Sequence, residues 1–334
     1  VIRTVDGRPL RDDYGVVLAH EHLLVDRRFR LDTADPVTRR LAGAPVVLAD
    51  LQQVREHPLA CGDNLVLDDE AMATGELHRV VHHDPLVVDV TPDAWGRDPA
   101  AIARVAAAAG VDVVMGCAPG VAASGAGEGA GMPAAWYRDR ILRLLEGPGP
   151  RPGVIGEIGT GDPITPDERA ALSGAAMAQA ATGLALYVHL EPWGRRGHEA
   201  LDLVEAGGGD PGRTVLCHLD ALVPGGLDEH RSLMRRGAVV AFDRWGDETR
   251  SATRRMPTDE ERLEATLGLI DDGLGDLLVH GQDVRTKIQL SRFGGPGYDH
   301  IPHVVGPMLR EAGLEEAEVR RQLAGNALRV LRGA

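Results

Sequence analysis

The segment "GVVLAHEHLLVD", residues 15–26, ends an apolar run in two histidines, His20 and His22, around a glutamate. A run of Val, Leu and Ala of this length reads as a strand covered on both faces. Ionisable groups at its end need a reason to be there, because burying them without partners is costly. Side chains two apart on a strand share a face, so both imidazoles can point at one metal. Glu21 then points away, toward the helix layer.

Seven more runs of the same kind follow. They are "LVVDVT" (86–91), "DVVMGCA" (112–118), "GVIGEIG" (153–159), "LALYVHL" (184–190), "TVLCHLD" (214–220), "AVVAFDRW" (238–245) and "DLLVHGQD" (276–283). Helical patterns lie between most of them. In "RDPAAIARVAAAAG", Asp98 is placed to cap, Pro99 to open the first turn and Gly110 to end the helix. In "TPDERAALSGAAMAQAATG", Thr165 and Glu168 are spaced as a capping box and Gly183 ends the helix. Eight strand–helix units predict a (β/α)8 TIM barrel, an α/β fold, as one domain over residues 1–334. A doubly wound open sheet is the alternative, but no glycine-rich dinucleotide fingerprint follows the first strand. Roughly 65 residues separate the first two strands, too many for a plain loop. This long insertion after strand 1 is expected to hold short helices and to wall the catalytic face.

Composition narrows the function. The formal charge is −14, which argues against nucleic acid and anionic membranes as partners. Aromatics are only 3%, so the core must be built from Val, Leu, Ile and Ala. Cys61, Cys117 and Cys217 form no CxxC pair and read as reduced thiols of a cytoplasmic protein. No apolar run approaches the ~20 residues that span a bilayer. A small-molecule substrate is the expected partner.

Functional residues of a barrel come from the C-terminal ends of its strands. Strand 1 ends in His20 and His22, strand 4 in Glu157, strand 5 in His189, strand 6 in His218 and strand 8 in Asp283. A lone histidine in a buried strand is most often a satisfied core residue, and Glu157 alone could pair with an arginine. Six metal-type residues on five strand ends are another matter. Nitrogen and oxygen donors suit Zn²⁺, Mn²⁺, Co²⁺ or Fe²⁺. Six are too many for one tetrahedral ion and suit two divalent ions, zinc first, bridged by a carboxylate and a hydroxide. Asp283 is the expected proton acceptor. His57, His78, His82, His83 and His230 lack this context and are expected in solvent.

The chain resembles the phosphotriesterase family of the amidohydrolase superfamily. The resemblance rests on "LAHEHL", "VVDVTPDAWGRDP", "GVIGEIGT", "VLCHLD", "QDVRTKIQLSRFGGPGYDHI" and "AGNALRVL". It implies that His20, His22 and Asp283 hold one ion, His189 and His218 the other, and that the strand 4 residue bridges them. In the best-studied members that bridge is a carboxylated lysine; here it is Glu157, as in the subgroup with a glutamate bridge. The resemblance also implies a homodimer.

The substrate is less legible. Asp243 and Arg244, in "AFDRWG", resemble a pair of family lactonases whose arginine lies beside the substrate; a salt bridge to Asp243 or Asp283 is the plainer alternative. Strand 3 departs from those lactonases, since "MGCAPG" offers no phenol, and Tyr298 is expected to supply the missing aromatic wall. The glycines of "RFGGPGYDHI" suit a mobile lid or plain turns. A hydrolase of carboxylic esters or lactones is the leading expectation. An N-acyl amide hydrolase is the alternative, with weak phosphotriesterase side activity. A metal-containing binding protein without turnover comes last.

Overall fold

The computed structural model describes residues 2–120, 129–249 and 254–333. Each of the eight runs forms a strand: β1 (Val16–Glu21), β2 (Pro85–Asp89), β3 (Asp112–Met115), β4 (Ile155–Gly159), β5 (Leu186–His189), β6 (Thr214–Cys217), β7 (Val239–Phe242) and β8 (Leu278–His280). Parallel ladders join β1, β2 and β3 into one arc and β4 through β8 into another, in chain order. Backbone hydrogen bonds bridge both seams. Gly156 N donates to Cys117 O at 2.8 Å, and Asp283 N donates to His20 O at 3.0 Å. The fold is the (β/α)8 barrel.

The interior is packed in the way such a barrel requires. One buried cluster draws Val17, Leu86, Val114, Val154, Tyr187, Val215, Val239 and Val279 from all eight strand regions. Only the barrel axis can touch every strand, so this is the inner filling. Neighbours one residue away, such as Val16, Val87 and Leu186, pack outward against the helices. Each such Val or Leu stabilises the fold by about 1.5–3 kcal/mol when fully buried.

The caps sit where the sequence places them. Asp98 accepts from Ala100 N and Ala101 N, and Gly110 ends the helix at φ +68°. Thr165 and Glu168 form a reciprocal capping box. The insertion pairs Val25–Asp26 antiparallel with Val66–Leu67 and holds the short helix Leu51–Glu56. Among the described residues no helix is long and apolar enough to cross a membrane. All three cysteines are buried and unpaired.

His230 corrects an expectation. It is fully buried, not solvated, because helix Asp228–Arg235 turns His230, Leu233 and Met234 inward as one stripe. Its Nε2 lies 2.8 Å from Leu219 O. His83 is half-buried, while His57, His78 and His82 are exposed.

Candidate metal centre

Two strands shift register at the residues that matter. Between Leu18 and Glu21, β1 carries one residue more than β2 opposite it; β4 does the same against β5 between Ile155 and Ile158. Such a β-bulge re-aims the side chains that follow. Val17 and Ala19 face the axis, and His20, within the first bulge, and His22, beyond it, join the central cluster. The second bulge brings Glu157 inward. It depends on Gly156, whose φ is +118° and where a Cβ would lie 2.4 Å from Tyr187 O.

The structure brings all six sequence-selected residues to one centre. His22 Nε2 lies 3.3 Å and His20 Nε2 3.8 Å from Asp283 Oδ1. Glu157 stands between two groups of ligands. Its Oε1 is 3.7 Å from His22 Nε2, and its Oε2 is 3.2 Å from His189 Nδ1 and 3.6 Å from His218 Nε2. His218 Nε2 and His189 Nδ1 are 2.9 Å apart. His218 and Asp283 hold left-handed backbone conformations, φ +64° and +49°. Non-glycine residues there cost about 1–3 kcal/mol each and cluster at functional sites.

Neighbours set which nitrogen faces the centre. Asp243 lies 2.8 Å from His20 Nδ1 and 3.0 Å from His218 Nδ1. With the Asp243 carboxylate as acceptor, His218 Nδ1 carries the proton and its Nε2 lone pair points inward. Thr91 Oγ1 lies 2.9 Å from His22 Nδ1 and holds the ring, and Asp89 accepts from the Thr91 and Leu23 amides. Asp243 was read from sequence only as the neighbour of Arg244, and Thr91 was missed. Glu21 does not enter the helix layer. Its carboxylate accepts from Gln282 N and Val284 N and ties β1 to the end of β8.

The charges favour a cation at this centre. Burial would raise the Glu157 carboxyl, but His189 and His20 hold it well below the usual carboxylate range. Burial also opposes ionisation of Asp283, and Arg285, His22 and Arg244 outweigh it. His20 Nε2 and His22 Nε2 are buried and hydrogen-bonded to nothing among the described residues. Orphaned imidazole nitrogens facing two ionised carboxylates fit divalent ions.

A cavity of about 710 Å³ meets the cluster at His189 and is walled by Arg27, Trp95, Trp193, Arg244 and Arg285. The insertion contributes Gln52, Arg55 and Leu59 to its rim. Arg244 does not pair with Asp243; it reaches Asp283 Oδ2 and Asp247 Oδ2, both at 3.3 Å. Arg285 also pairs with Asp283 Oδ2. Tyr298 is placed differently from expectation. It is 1% exposed, and its hydroxyl donates to His22 O at 2.8 Å instead of walling the cavity. The eighth loop is pinned too: Glu76 accepts from Ser291 N and Arg292 N, and Gln282 holds Gly297 and Ile301.

The sequence signature of the phosphotriesterase family matches residues 2–331. The chain belongs to the phosphotriesterase family. It shares the metal-dependent hydrolase character of that family, and the six-residue cluster is the metal-type site such chemistry needs. Among this phosphotriesterase-family chain's relatives is N-acetyltaurine hydrolase of Danio rerio, 28% identical over 343 residues, covering 99% of this chain and 97% of that protein. A resiniferatoxin-binding protein from Rhodobacter sphaeroides is 36% identical with TM-score 0.94, covering 99% of this chain and 94% of that one. The phosphotriesterase homology protein from Escherichia coli, complexed with phosphate in its active site, is 26% identical with TM-score 0.76, covering 95% and 98%.

Proposed function

We propose that this chain hydrolyses a carboxylic acyl bond, with N-acyl amides as the first substrate class. The observation that supports it is the single centre of four imidazoles and two carboxylates opening into a walled cavity. Two divalent ions held by His20, His22, Glu157, His189, His218 and Asp283 would acidify water near neutral pH and polarise the acyl oxygen. The chain's own part is positional. Asp283 presents Oδ1 toward His20 and His22 and Oδ2 toward Arg244 and Arg285. One oxygen can take a proton from the attacking water while the other stays fixed, and the proton can then pass to the leaving amine. Trp95 and Trp193 give the cavity wall apolar surface.

Two features move the reading from lactones, the leading expectation from sequence, to amides. No phenol stands at the mouth, since strand 3 has none and Tyr298 faces away. N-acetyltaurine hydrolases align along nearly the whole chain. A binding role without turnover would leave the proton-accepting place of Asp283 unexplained.

The test is a panel of N-acyl amides, esters and lactones with enzyme loaded with zinc or manganese. Turnover of amides at the highest kcat/KM is expected. Turnover confined to lactones would restore the earlier reading, and micromolar binding without any turnover would favour the binding protein.

A further inference from the structure

Five arginines line the cavity, alongside Glu56, Glu191, Asp247 and Glu248. Two carboxylates, half-buried Asp247 and buried Asp283, face Arg244 and Arg285. Arg27 stands beside these two arginines, and it makes no ion pair among the described residues. Its Nε is buried and hydrogen-bonded to nothing. Burial, with Arg285 and Arg244 beside it, lowers it to about 9, so it stays charged at neutral pH. A half-buried, unpaired cation on a cavity wall is stabilised when something anionic comes to it.

Arg27 is held in place before any ligand arrives. Its backbone N–H donates to Leu65 O at 2.8 Å, beside the Val25–Asp26 strand pair. Its guanidinium carbon sits 4.8 Å from the Trp95 ring centre. That ring in turn lies 5.1 Å from the His22 imidazole. One indole therefore separates the free guanidinium from a residue of the metal-type cluster. A ligand touching both ends needs only a short spacer.

We infer that Arg27 is the specificity-determining residue of this cavity and that it binds an oxyanion carried on the substrate a short spacer away from the scissile acyl bond. The inference rests on the acyl-hydrolase reading above. A planar guanidinium fork matches sulfonate and carboxylate oxygens alike. Arg27 differs from Arg244 in having no internal carboxylate to release first. Arg27 lies in the insertion and ends no strand of the barrel, so the sequence pattern did not single it out.

The test uses metal-loaded full-length protein and three matched substrates: an N-acyl-2-aminoethanesulfonate, an N-acyl-3-aminopropanoate and the neutral N-acyl-2-aminoethanol. Arg27→Ala and Arg27→Gln are compared with wild type, with metal content and Tm checked each time. On the better of the two anionic substrates, kcat/KM should fall about tenfold or more, mainly through KM, and on the neutral one less than about threefold. The ratio between sulfonate and carboxylate identifies which oxyanion the site prefers. An equal fall on anionic and neutral substrates, or no fall on any, overturns the inference. If wild type turns over none of the three, the acyl-amide reading fails, and calorimetry with propane-1-sulfonate decides the inference alone. Binding to wild type that weakens in both variants sustains it; binding that is absent or unchanged overturns it.

Discussion

Asp243 accepts both the backbone N–H and the imidazole Nδ1–H of His218, at 2.9 and 3.0 Å. Its second oxygen lies against His20 Nδ1, so one carboxylate orients a histidine in each half of the centre. Asp243→Asn should weaken metal binding about 10–100-fold with the fold intact, since outer partners of metal-binding histidines carry that weight. Competition with a fluorescent chelator measures it, and unchanged affinity would remove Asp243 from the site.

Glu157 stands between the two ligand groups, so its charge should be needed for a pair of ions. Wild type should hold two divalent ions per chain. Glu157→Gln should lose at least one ion and most activity, because a neutral amide cannot offset two dications. Asp283→Asn should lose activity with less metal loss. Elemental analysis alongside turnover separates these outcomes, and near-normal turnover of Asp283→Asn would end its proton-transfer role.

Arg244 is committed to Asp247 and Asp283. Arg244→Ala should therefore lower kcat/KM about a hundredfold on neutral and anionic substrates alike. A loss confined to anionic substrates would give Arg244 the role assigned above to Arg27.

Tyr298→Phe removes only a hydroxyl donated to His22 O. The expected cost is about 1 kcal/mol of stability, read as a lower urea midpoint, with KM little changed. A severalfold rise in KM without destabilisation would return Tyr298 to the substrate wall.

His230 and His280 are buried, and burial lowers each to about 4. An unfolded histidine titrates near ~6.5. The fold thus favours the neutral ring, and the stability this contributes is complete above ~6.5 and is lost as pH falls toward 4. Each ring accounts for up to about 3 kcal/mol of that loss. Metal-free wild type and His230→Gln, unfolded in urea at pH 7 and pH 4.5, should differ. The variant starts less stable and loses less on acidification; equal losses would show that His230 does not titrate as described.

Much of the centre could be read in the sequence because each metal-type residue closes an apolar run, where a charge has no bland explanation. The barrel was legible for the same reason, and the Asp98 and Thr165 caps marked its helices. The bulges were not. Strict alternation from Val17 and Ala19 would turn His20 toward the helices, and only the pairing with β2 shows the extra residue. Arg27 gave no signal because no periodicity surrounds it. Tyr298 was misplaced because spacing along a glycine-rich loop does not say which way the loop folds back.

The pinned eighth loop bears on how this protein can diversify. Ser291 and Arg292 are tied to Glu76, and residues 297–301 are tied through Gln282 and Tyr298 to the strand ends that carry the ligands. Between these anchors, Gly294, Gly295 and Pro296 border the cavity. Gly294 sits at φ +74° and a Cβ on Gly295 would lie 2.3 Å from Ile288 O, so variation at Pro296 is what can reshape the cavity while the anchors keep the reacting groups in register. Substitutions at Pro296 should yield folded, metal-binding clones with altered substrate range, whereas a library extended to 297–301 should lose His22 alignment along with the loop.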